Sequence, residues 1–143
     1  METAHLIGGV AVLATNLLAG AWGGIAWLRR VPAVGFWYAL RVAQAAVVIQ
    51  VLLGTIMLLL GREADGLHYL YGLLPLAVAL LAETVRAGAA ERELTGLDFD
   101  SLPKDRQRTI ALAIVRREMG IMSVSALIVL FLALRAAGTT TLL

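Results

Sequence analysis

Four long apolar stretches, separated by short polar breaks, set the pattern of this chain. From His5 to Leu28 only Thr15 and Asn16 interrupt the apolar run, which closes on Trp27 and Arg29-Arg30. Such a run is long enough to cross a bilayer as a helix. Val31-Pro32-Ala33-Val34-Gly35 reads as a turn. Phe36-Trp37-Tyr38 then opens a second span, to about Leu60, with aromatic residues suited to a membrane interface. Arg41 lies about one turn inside that span and is expected to snorkel to the headgroups. Gln44 and Gln50, expensive against lipid, are expected to point into the bundle. The polar loop Gly61–Gly66 is short, which predicts that spans two and three are antiparallel neighbours.

Span three is predicted from Leu67 to about Glu83, with Pro75 permitting a kink and Glu83 and Arg86 marking the far interface. Arg86 is one helical turn from Glu83 and can neutralise it. The only extended polar region runs from about Gly88 to Thr109. Pro103 suits the first turn of a helix that takes in Arg106, Arg108, Arg116 and Arg117 before it becomes apolar. The fourth span, about 117 to 135, is thus the outer part of a longer helix, with Ser123 and Ser125 expected to bond to its backbone. Arg135 and a short threonine-rich tail follow.

Composition agrees with this pattern: 60% of residues are hydrophobic and 15% charged, which is the range of integral membrane proteins. The expected fold is all-α, a single membrane domain over 1–143 built as an antiparallel four-helix bundle. Without cysteine there is no disulfide framework, no thiol redox centre and no thiolate metal site. The N-terminus lacks the features of a removable signal peptide, so the first span is expected to be retained.

Charge placement predicts orientation. Arg29, Arg30, Arg41, Arg86, Arg92, Lys104, Arg106, Arg108, Arg116 and Arg117 fall on one side, and only Arg62 and Arg135 on the other. The positive-inside rule then puts the 86–116 connection in the cytoplasm and both termini outside, in a cell membrane. The basic residues sit where topology requires them and leave no nucleic-acid footprint.

The candidate chemistry lies in the two histidines, His5 and His68, which open spans one and three at the same depth. Each has a glycine four residues on, Gly9 and Gly72, leaving bare backbone on the same helix face. Spans one and three lie diagonally across an up-down bundle, so the two imidazoles can face one another. Two neutral imidazoles suit a b-type haem iron. Zinc would need further ligands, and only Glu2, Glu63 and Asp65 are near. Arg62 and Arg135, the basic residues on that side, are candidates to meet haem propionates.

These residues resemble a family. Glu2-Thr3-Ala4-His5 followed by Gly8-Gly9 is similar to the Glu-x-x-His start of a haem-bearing span in haem A synthases. Gln50-Val51-Leu52-Leu53-Gly54, ahead of His68, resembles the segment leading to that family's second ligand histidine. The resemblance covers about three spans. It implies a cytochrome b-like, single-haem bundle equivalent to half of such an enzyme, with His5 and His68 as axial ligands and Glu2 near the cofactor edge. Leu6 replaces the family's basic residue and no second histidine pair follows, so a free-standing haem protein is a better reading than the synthase activity.

Electron transfer or haem handling is therefore the leading expectation, with a quinone or a redox protein as partner and a homo-oligomer as an open option. The alternative is a small transporter or channel acting as an oligomer, its pathway lined by Glu83, Gln44, Gln50 and Asn16. A cofactor-free assembly factor has no positive signature in the sequence.

Overall fold

The computed structural model describes residues 2–139; part of the threonine-rich tail, Thr140 and Thr141, lies outside the described residues. The chain is all-α. Its helices are α1 (Glu2–Leu28), α2 (Val34–Leu59), α3 (Gly66–Leu94) and α4 (Lys104–Gly138), with a 3-10 turn at Phe99–Ser101. All four helices are long and apolar enough to cross a membrane, the make-up of a multi-pass membrane protein.

The inward face of α1 is made mostly of small residues. On α1, Val12, Asn16, Ala19, Gly20, Gly23 and Ala26 are buried at helical spacing, while Leu6, Leu17 and Leu28 face outward. Lipid tails are as apolar as leucine, so close packing of small side chains, not hydropathy, decides which face turns in. Gly20 packs against Leu127 of α4, whereas Gly24, the other half of the Gly-x-x-x-Gly pair, faces open space.

Large aromatic rings are seated on glycines. Trp22 lies against Gly35, Trp27 against Gly120, and Phe36 between Gly23 and Ser123. Phe36 is 0% exposed, in a core cluster with Leu40, Met119 and Met122, while Tyr38 is 73% exposed. Phe36 is therefore a core residue, not part of an interfacial belt, because Gly23 opens a socket for its ring.

α4 packs against both α1 and α3, and α2 packs against α1. Spans two and three, joined by the short loop, touch only sparingly. The loop fixes their order around the bundle without closing the gap, since α3 is drawn onto α4. Arg30 (φ 57°) and Gly61 (φ 76°) take left-handed conformations where α1 and α2 end.

α3 continues to Leu94, well past the expected limit near Glu83, through Ala89-Ala90-Glu91-Arg92-Glu93. These are strong helix formers, so the loss of hydropathy there marks departure from apolar surroundings and not a helix end. Left-handed Gly96 follows the helix (φ 76°). Pro103 sits at the N-cap of α4, one residue before the first turn. Gln107 Nε2 donates to the carbonyls of Phe99 and Leu102, both at 3.0 Å, tying the connection to α4.

Candidate functional site

The starts of α1 and α3 meet the ends of α2 and α4 at one end of the bundle, and the histidines lie there. Asp65 caps α3 by accepting from the Leu67 amide at 3.1 Å, which places His68 in the first turn. The imidazoles of His5 and His68 have centroids 6.0 Å apart and planes inclined at 56°. The structure thus brings the two predicted ligands together, each half-buried.

His68 Nδ1 lies 3.2 Å from the Ala136 carbonyl and 3.3 Å from Thr139 Oγ1, which itself donates to Ala136 O at 2.6 Å. A carbonyl only accepts, so Nδ1 is the donor in this contact, and in a neutral ring the lone pair is then on Nε2. In metal-ligating histidines generally, a bond of this kind at the other ring nitrogen sets tautomer and orientation.

Gln50 serves His5 differently. Its Nε2 donates to the His5 backbone carbonyl at 3.0 Å and lies 3.3 Å from both ring nitrogens. An atom that close and equidistant from the two nitrogens would overlap Cε1 if it lay in the ring plane, so the amide sits over the ring face. The single in-plane lone pair of a neutral His5 ring is therefore not engaged by Gln50. Gln50 Oε1 is buried without a partner among the described residues, against Gly8, where any Cβ would overlap it.

The glycines divide accordingly. Gly72 borders open space as the spacing predicted, but beside Gly9 the space is taken by Gln50 Nε2, 3.5 Å from where a Cβ would stand. Gly8-Gly9 is thus the seat of a glutamine. Gly54 supplies another close approach, its Cβ position 3.4 Å from His5 Cε1. Gln50 and the Ala136 carbonyl were not legible as histidine partners in the sequence; the available signal was a lone amide in an apolar run, at the depth of His5.

Glu2 accepts from Arg62 at 2.6 Å, both exposed at the rim, and Arg135 stacks 5.8 Å from the Tyr71 ring centroid. Both arginines stand at this end, each already engaged.

At the opposite end Glu83 holds a charged network. It accepts from Arg41 at 2.6 Å, from Gln44 at 2.8 Å and from Arg86 at 2.9 Å, and Arg86 reaches Glu118 of α4 at 3.4 Å. Arg41 therefore pairs with α3 instead of only snorkelling, since a carboxylate within reach is a better partner than distant headgroups. Asn16 lies between the two ends and donates to its own helix at Val12 O, 2.9 Å. The four polar residues expected to line a transport path are thus divided among three places, each with a partner.

Among the described residues no group of three or more His, Asp or Glu is placed to hold a metal ion, so the histidine pair is a two-donor arrangement. Comparison with known protein families, curated proteins and solved structures returns no match for this chain.

Proposed function

We propose that the chain is a membrane-embedded b-type haem protein with His5 and His68 as the two axial ligands, acting in electron transfer or haem handling. The observation that supports this best is the spacing of the rings. Two metal–nitrogen bonds of about 2 Å, each with about 1 Å more to the ring centre, ask for centroids about 6 Å apart; the rings stand at 6.0 Å. The Ala136 carbonyl at His68 Nδ1 supports it independently, because it turns Nε2 into the available donor.

A planar ring system would approach the pair past Gly72, whose Cβ position meets nothing within 4 Å, on the side where α2 and α3 touch only sparingly. Haem would supply one-electron oxidation and reduction there, and the surrounding apolar side chains exclude water from it. Arg62 and Arg135 are the cationic side chains at that rim suited to carboxylates, after exchanging their present partners. The likeness to half of a haem A synthase rests on the short motifs alone. A quinone or redox protein is the partner class such a centre requires.

The proposed arrangement is an antiparallel bundle in a cell membrane with both termini outside, following the distribution of basic residues. In right-side-out vesicles, a cysteine replacing Glu63 should react with an impermeant maleimide and one replacing Asp100 should not; the reverse pattern refutes the orientation.

The decisive test is colour. Protein produced with ample haem should show a Soret band that is lost in His5→Ala and His68→Ala variants retaining the wild-type helical circular dichroism. A colourless wild-type protein overturns the proposal.

A further inference from the structure

A groove of about 760 Å³ runs between α3 and α4 below Trp27, remote from the histidines. Its walls are apolar, chiefly Val78, Leu81, Val85, Val124 and Ile128. Two polar features interrupt this lining at different depths. Ser125 is 7% exposed and lines the groove, yet makes no hydrogen bond among the described residues. Its neighbour Ser123 closes on the Met119 carbonyl at 2.7 Å, the usual recourse of a serine in an apolar helix. The Ser125 hydroxyl is not one of the fully buried unpaired polar atoms; it opens to the groove as a single polar group in an apolar wall.

The second feature is the mouth, where Arg116, Arg117 and Glu93 lie. Glu93 takes Arg117 as its ion-pair partner, leaving Arg116 with no carboxylate in range among the described residues. Arg116 also lines a smaller cavity of about 230 Å³ whose far wall carries Arg30. The rim therefore has a surplus of positive charge.

We infer that this groove binds an anionic phospholipid, with its phosphate at Arg116 and an acyl chain along the apolar wall. Ser125 lies nine residues and about 13 Å further along α4, beyond the headgroup, at the level of the acyl chain. A soluble anion would satisfy the rim but not the wall. A zwitterionic lipid would fill the wall without using the surplus charge.

The test uses the full chain in a neutral detergent, with phosphatidylglycerol and phosphatidylcholine of identical acyl chains as probes, read by native mass spectrometry and thermal unfolding. Phosphatidylglycerol should remain bound at a stoichiometry of one and raise the unfolding midpoint, and phosphatidylcholine should do neither. Arg116→Gln should weaken phosphatidylglycerol binding about five- to tenfold. Ser125→Ala should keep the preference for the anionic lipid. Arg108→Gln, which removes an exposed charge on the same helix away from the groove, should leave binding unchanged. Equal retention of both lipids, or an equal loss in Arg116→Gln and Arg108→Gln, would overturn the site in favour of diffuse attraction. Both results are independent of whether the protein carries haem.

Discussion

Gly8 has no side chain because the amide of Gln50 fills the space one would occupy. Gly8→Ala must displace that amide from His5, and overpacking of this kind costs about 1–3 kcal/mol. Gly72→Ala meets nothing, so in haem-free protein its thermal unfolding midpoint should equal or exceed wild type, alanine being the better helix former, while that of Gly8→Ala falls. The opposite ranking would show that Gln50 is not seated as described. At this scale the sequence revealed the histidines, since a polar aromatic residue at the same depth of two spans stands out against leucine and valine. It did not reveal their partners. The Ala136 carbonyl is backbone and has no letter of its own, and Gln50 could be assigned to the bundle interior but not to one ring.

Among the elements, the span limits were legible wherever charge interrupts hydropathy, and the helix limits were not. α3 shows the difference: its apolar part ends at Glu83 while hydrogen-bonded helix continues to Leu94. Inward faces were equally obscure, because on α1 the buried stripe is the least hydrophobic one. What joins α2, α3 and α4 at the basic end is Glu83, which accepts from Arg41 and Arg86 while Arg86 reaches Glu118. Glu83→Gln keeps the shape but removes the only carboxylate paired with half-exposed Arg41 among the described residues and leaves Arg86 with Glu118 alone. A loss of about 1–3 kcal/mol is expected, measured by detergent-induced unfolding. Retained stability would mean that headgroups and water substitute for the carboxylate. In the connection, Gln107→Ala removes the side-chain ties to the Phe99, Asp100 and Leu102 carbonyls. Limited proteolysis between residues 95 and 103 should accelerate, with the spanning helices left intact.

Over the whole molecule, four apolar helices were readable from the first pass because runs of that length and composition are what a membrane-crossing helix needs. Their neighbour relations were not. A short loop between α2 and α3 predicts adjacency, and the tighter packing is instead of α4 on both α1 and α3. That outcome depends on where glycine, alanine and serine fall on three separate faces, which no single periodicity reports. The central position of α4 gives it two tasks, walling the groove beside α3 and offering its last turn to His68.

α4 is one uninterrupted helix of 35 residues, about 52 Å from end to end. It has no proline inside it, and its internal glycine, Gly120, is clamped by Trp27. A rod without a joint transmits displacement: whatever docks against its polar foot near Lys104 can be answered only by tilting or sliding the shaft. The far tip of that shaft carries the Ala136 carbonyl that contacts His68 Nδ1, so one unbroken helix runs from the polar connection to the histidine end.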